Sequence, residues 1–327
     1  MKPRESIGWL IFGWLCLLSL VPAGQGFAQE RRPDPWGPPP DSLSSYAYPT
    51  AFEEPPFYAD PTATEPIYDE VDQWGESPWC WQVRPKGFVY TTYWASAAEP
   101  RLATHLVKVS NLGEFQDSHI GGRLGIVRFG PQDVPEGWQL DVLAGAKLRQ
   151  DWNEGLDVVG TDYRYDILAT YGSGRHRYKL GFYHVSSHAG DEFLLKNQDF
   201  NRLNYFRDVL VAGFSYYPDP RLRFYGEVGW AFDYDVSEPW EFQFGIDFGP
   251  SFATGAAGRP FAAVNTHLRE DVDFGGNLAL QLGWAWTGES ADGVLRTGLY
   301  YYSGKSPQFS FYAEDEDQFG WGLWYDY

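Results

Sequence analysis

The stretch Arg175-His176-Arg177-Tyr178-Lys179-Leu180-Gly181-Phe182-Tyr183-His184-Val185-Ser186-Ser187-His188 decides the fold. On an extended strand successive side chains point to opposite faces. Tyr178, Leu180 and Phe182 therefore share a face with His184, Ser186 and His188, while Arg175, Arg177 and Lys179 share the other. One face suits hydrocarbon and the other water. The run closes with a base and a hydroxyl on its oily side, an odd position for polar groups that serve no purpose.

The same period of two recurs along the chain. Leu222, Phe224, Val228, Trp230 and Phe232 alternate with Arg223, Tyr225, Glu227, Gly229 and Asp233. Trp240, Phe242, Phe244, Ile246 and Phe248 alternate with Glu241, Gln243, Gly245 and Asp247, and Leu278 to Trp286 and Leu140 to Leu148 keep the same phase. Read this way, the chain contains twelve candidate strands, at roughly 101–109, 119–129, 138–149, 157–171, 175–188, 203–217, 221–233, 240–249, 260–269, 276–287, 293–303 and 317–327. A soluble sandwich buries its bulky face against a second sheet and decorates its polar face freely. Here the polar positions are rich in Gly, Asp, Gln and Arg, as a crowded lumen requires. The bulky positions gather Trp, Tyr and Phe near strand ends, as the girdles of membrane barrels do. Each run is long enough to cross a bilayer at a tilt of about 45°. The expected fold is all-β, a twelve-stranded antiparallel up-and-down transmembrane β-barrel.

Composition removes other classes. A net charge of -19 argues against nucleic acid, because neutralising phosphates needs an excess of Lys and Arg, and it argues equally against attachment to anionic lipid through basic residues. Lys2 and Arg4, the apolar run Ile7 to Val21 and the small-x-small site Gly26-Phe27-Ala28 mark residues 1–28 as an export signal. Residues 29–86, with Pro38-Pro39-Pro40 and Pro55-Pro56, read as a proline-rich disordered or extended linker, and 87–327 as the barrel. Past the signal only Cys80 remains, so no internal disulfide can form.

If the first strand runs outward, Ser173-Gly174 and Pro218-Asp219-Pro220 are tight periplasmic turns, and Asn111 to Ser118, Ala189 to Arg202 and Gly304 to Glu316 are long external loops. The expected compartment is the bacterial outer membrane. The ending Gly322-Leu323-Trp324-Tyr325-Asp326-Tyr327 resembles the carboxy-terminal strand signal read by the outer-membrane assembly machinery, which makes that machinery and outer-membrane lipid the expected partners.

Two family resemblances follow from particular residues. Gly137-Trp138-Gln139-Leu140-Asp141, Tyr183 to Glu192, Glu238 to Gly245, Leu268 to Asn277 and the terminal Gly-Leu-Trp-Tyr-Asp resemble the bacterial domain-of-unknown-function family numbered twelve hundred and seven, across nearly everything after the linker. More locally, His184-Val185-Ser186 is similar to the His-x-Ser pair of outer-membrane phospholipase A. In that family the pair sits on the lipid-facing wall of a twelve-stranded barrel, and an Asn from the next strand orients the His. Barrel-type lipid A deacylases share the pair, with an acidic third member.

The phospholipase resemblance implies Ser186 as nucleophile, His184 as base and Asn204 as orienter, acting on outer-leaflet acyl esters. Leu210, Ala212, Phe214 and Tyr216 set the phase of the next strand, which puts Asn204 and Asp208 outward. Asn201 falls in the opposite phase and stays open if the loop shifts it. No cofactor is required by the sequence; calcium enters by analogy only, and Ser187-His188 stands where the phospholipase continues with Asn-Gly. A metal site at His184, His188, Asp191 and Glu192 is the competing chemical reading, opposed by the roughly 13 Å between residues four apart on a strand. Asn265, His267 and Arg269, in phase with Asn277 and Gln281, would line the interior with Lys179, Glu227, Asp247 and Arg207, either as a structural lattice or as a narrow pore. The alternative to an esterase is thus a non-enzymatic barrel.

Overall fold

The computed structural model describes residues 77–288 and 293–327. The expected export signal and the linker as far as residue 76 lie outside the described residues. The strands are β1 (Cys80–Val83), β2 (Leu102–Val109), β3 (Gly113–Gly130), β4 (Gly137–Asp151), β5 (Asp157–Ser173), β6 (His176–Ala189), β7 (Tyr205–Asp219), β8 (Leu222–Asp235), β9 (Trp240–Phe248), β10 (Arg259–Arg269), β11 (Gly276–Thr287), β12 (Val294–Lys305) and β13 (Asp315–Asp326). From β2 onward each pairs antiparallel with its sequence neighbour, and β13 returns to β2 with Tyr325 opposite Leu102. The twelve strands β2 to β13 therefore close into an up-and-down barrel with no free edge. The short β1 lies outside this ring, with Cys80 opposite Gly130 at the end of β3, in a stretch read as linker from the sequence.

Alternation is realised as predicted. Leu180, Leu210, Phe244, Leu282, Trp284, Leu299 and Trp321 point outward and are exposed, and Leu180 leaves 65% of its surface uncovered. Arg149, Asp141, Lys179, Arg207, Asp247 and Arg296 point inward and are buried. Soluble monomers rarely expose apolar patches beyond a few hundred Å², whereas this belt encircles the molecule, as a surface solvated by hydrocarbon does.

The loops differ from expectation in one place. The second strand begins at Gly113 rather than near 119, so the long loop expected over Asn111 to Ser118 is instead a tight turn at Ser110-Asn111-Leu112, with Asn111 in the left-handed region at φ 64°. Glu114, Gln116 and Ser118 look like loop chemistry, but the strand continues through them beyond the apolar belt, where outward side chains meet water. Long connections at this end of the barrel, the loop end, remain at 190–204 and 306–314.

A twelve-stranded ring is wider than its own side chains can fill, and two segments occupy it. Residues 87–101 run inside the barrel and bury Val89, Tyr90, Tyr93, Ala95, Glu99 and Arg101. Tyr93 stacks on Tyr225 at 3.9 Å, its hydroxyl donates to Glu227 at 3.0 Å, and Arg223 donates to the Thr92 carbonyl at 3.1 Å. Lys179 binds both Glu99 at 3.3 Å and Glu227 at 2.5 Å. Wall glycines make room for the plug: a Cβ on Gly249 would lie 2.5 Å from the Trp94 ring, and one on Gly213 3.0 Å from the Tyr93 hydroxyl. From the loop end, residues 306–312 fold inward. There Lys147 donates to the Pro307 carbonyl, and Phe309 stacks on Tyr205 at 5.0 Å. Cavities between these fillers and the wall measure about 20 Å³ and about 10 Å³, room for roughly one water.

Candidate active site

β6 carries His184 and Ser186 on its outward face, as its alternation predicts, with Val185 and Ser187 turned inward and buried. Tyr165 of β5, His184 and Asp208 of β7 form one row across three strands. The row below is Ile167, Phe182 and Leu210, wholly apolar, and the row above is Tyr163, Ser186 and Phe206. The polar groups thus appear where the apolar belt gives way to the loop end.

His184 Nδ1 lies 2.6 Å from Asp208 Oδ1. The Asp208 side chain is only 8% exposed and that of His184 26%. An ionised carboxylate can only accept, so this contact places the proton on Nδ1 and leaves Nε2 as the basic nitrogen. The imidazole stacks on Tyr165 at 5.1 Å and on Phe206 at 6.5 Å, which fixes its plane. The β7–β8 ladder shifts register between Asp208 and Val209, where Asp208 faces Asp233 and Val209 faces Ala231. Bulges of this kind re-aim side chains and are over-represented beside active sites.

Ser186 shares the face of His184 two positions on. No hydrogen bond joins its hydroxyl to His184 in this structure. Alternate residues of a strand have α-carbons about 6.5–7 Å apart, a separation that side-chain rotation can bridge. The neighbouring Ser187 is an inward structural hydroxyl, bonded to Asp162 and to Ser310.

The residue expected as orienter, Asn204, does not reach the imidazole. It lies in the loop just before β7 and donates to Asp235 at 3.3 Å, and the carboxylate of Asp208 occupies the position beside the imidazole. The strand phase that placed Asn204 outward does not extend into a segment without ladder pairing. Asn201 likewise belongs to the exposed 190–204 loop. Asp208 had a signal in the sequence, its outward phase with Leu210, Phe214 and Tyr216, but phase alone does not say which strand neighbour a side chain reaches.

Of the competing groupings, Asp191 and Glu192 open the short helix α1 (Asp191–Lys196) beyond β6. Among the described residues no three His, Cys, Asp or Glu side chains are arranged to hold a metal ion. The interior set is placed as expected: Asn265 donates to Tyr225 at 2.9 Å, His267 meets Glu241 at 3.2 Å, Arg269 binds the Tyr312 carbonyl at 3.0 Å, and Gln281 accepts from Arg296 at 2.6 Å.

A family model described as "Protein of unknown function (DUF1207)" matches residues 100–327, which are all twelve barrel strands. The chain belongs to this family. DUF1207 is represented here by the closed barrel without β1 and without most of the plug. No curated protein matches the chain. Among solved structures, outer membrane phospholipase A from Escherichia coli is similar at 12% identity, covering 69% of this chain and 89% of that one with a TM-score of 0.49. The phospholipase dimer of Salmonella typhi with bound calcium is similar at 10%, covering 69% and 90% with a TM-score of 0.49, and the KdgM porin at 11%, covering 69% and 99% with a TM-score of 0.34. The likeness is confined to barrel architecture, and the barrel itself stands on the strand pairing above.

Proposed function

We propose that this DUF1207 barrel is an outer-membrane acyl-ester hydrolase whose outward face cleaves lipid at the level of the loop-end rim. The observation that carries this reading is the His184–Asp208 pair on the hydrocarbon side of the wall. Burying a carboxylate costs several kcal/mol, roughly, unless it is paired, and a leucine there would close the belt without that cost. The pair is therefore a liability for packing and an asset for chemistry.

In the proposed reaction Ser186 Oγ turns onto His184 Nε2, gives up its proton to it, and attacks the acyl carbonyl carbon. The resulting imidazolium is stabilised by Asp208, which remains ionised. Collapse of the tetrahedral adduct breaks the ester C–O bond, and the proton on Nε2 passes to the departing alkoxide. Water, deprotonated by the same nitrogen, then releases the fatty acid and restores Ser186. In this scheme the loop end faces outward, the substrate is an outer-leaflet phospholipid or lipid A, and β13, with Phe319, Trp321 and Leu323 outward, is the strand offered to the assembly machinery.

The test is fatty-acid release from phospholipid and lipid A vesicles by the refolded chain, with and without calcium, beside Ser186→Ala and His184→Ala. Release by the parent that falls at least about 10³-fold in both variants is the expected result. The same background in all three removes the hydrolase. A second reading, a closed non-enzymatic barrel, is favoured by the filled lumen, and the same filling weighs against a standing pore.

A further inference from the structure

A wide cavity opens not at the His184 row but in the mouth of the barrel at the loop end. It encloses about 640 Å³ between the β2–β3 turn, the β4–β5 turn, α1 with the residues after it, and the 306–314 loop. That size is within the range of sites for small organic molecules. Its apolar wall joins four phenylalanines to Leu112, Val158 and Val159. Phe193, Phe200 and Phe311 meet one another at 5.1, 5.3 and 5.4 Å between ring centroids, and Phe115 also lines the cavity.

The remaining lining is strongly acidic. Asp151, Glu154, Asp157, Glu314, Asp315 and Glu316 stand against only two cations, Arg149 and Lys196. Both cations are already engaged. Arg149 holds Asp117 and Glu316, at 2.7 and 2.8 Å, and Lys196 holds Glu154 and Asp157, each at 2.7 Å. Neither is free to receive an anion. Asp315 pairs with Lys305, and Glu314 has no side-chain partner among the described residues.

We infer that this mouth is a binding site for an organic ammonium ion. Aromatic faces attract a cation through the ring quadrupole, most strongly a methylated ammonium that loses little hydration on entering. The surplus of carboxylates raises the local concentration of such ions and excludes anions of the same shape. Neither half of the site would suffice: the rings alone would accept any apolar molecule, and the carboxylates alone would hold hydrated inorganic cations. The inference does not depend on the hydrolase reading, since no residue is shared between the two sites.

The experiment uses the full refolded chain in detergent micelles, with empty micelles as the blank, and reads saturation-transfer NMR and calorimetric titration. The probes are benzyltrimethylammonium, its uncharged carbon isostere neopentylbenzene, and phenylacetate. Saturable binding of the ammonium ion alone is expected, weakened at least about fivefold by Phe200→Ala and by Glu314→Gln, and reduced by added salt. Glu314→Gln keeps the shape of an exposed loop, so its result stands if Phe200→Ala disturbs the cluster. Binding of phenylacetate or the isostere as strong as that of the ammonium ion overturns the inference. Ammonium binding that neither variant changes overturns it equally.

Discussion

Asp208 occupies a position where the wall of a membrane barrel ordinarily carries an aliphatic side chain, and its one strong contact is the imidazole of His184. A carboxylate in that contact fixes the tautomer by accepting from Nδ1; an amide could instead donate to it and send the proton to Nε2, the nitrogen needed as base. If the proposed reaction operates, Asp208→Asn lowers the rate of acyl release by about 10²–10⁴-fold while leaving KM close to the parent value, and raising the pH does not restore it. Asn204→Ala leaves rate and pH profile as they were, because Asn204 touches Asp235 and not the imidazole. Vesicle-based release assays across pH separate these outcomes, and equal effects of the two substitutions would return the orienting role to the amide.

At the scale of elements, the 87–101 segment is held in the lumen by charge as much as by packing. Burial alone would raise the pKa of Glu99, but Lys179, Arg164 and Arg101, together with the Tyr93 N–H at 2.5 Å, outweigh it and hold the carboxyl below its ordinary value of 4.5. Glu227 shares Lys179 with it, at 2.5 Å. A group whose folded pKa is depressed adds stability that is complete above its unfolded value and is lost as pH falls through the folded one. The plug should therefore be held firmly above pH 4.5 and loosen progressively below it. Planar-bilayer recordings are expected to be silent at neutral pH and to show openings on acidification past that value, with Glu99→Gln, uncharged at every pH, showing openings already at neutral pH. Standing conductance at both pH values would mean that the segment does not close the barrel, and silence at both that the Glu99 charge does not hold it.

For the whole molecule the governing fact is the inversion of solvent. Hydrocarbon bathes the bulky face, while the polar face closes around its own ion pairs, Arg149 with Asp117 and Glu316, Arg123 with Asp141, and Arg296 with Asp326. The cost of an outward charge then depends on height along the wall. Leu180→Arg, within the belt, should lower stability by about 2–4 kcal/mol, and Ser118→Arg, at the polar rim of β3, by about 0–1 kcal/mol. Urea unfolding of the barrel in lipid vesicles measures both. Equal costs at the two heights would mean that the outer face is not solvated by hydrocarbon.

Alternation with a period of two is a local property of the chain, and it determined by itself the twelve barrel strands, though not where β3 begins, and the face on which His184 and Ser186 stand. It could not say which residue of β7 reaches His184, because inter-strand register is set by the ladder, its bulge beside Asp208 and the point where pairing begins, one residue after Asn204. Nor could it place Val89 to Arg101, which carry no strand alternation and lie inside the ring. Only closure of twelve strands creates a lumen wide enough to need filling, and the segment that fills it is ordered by contacts distant in sequence.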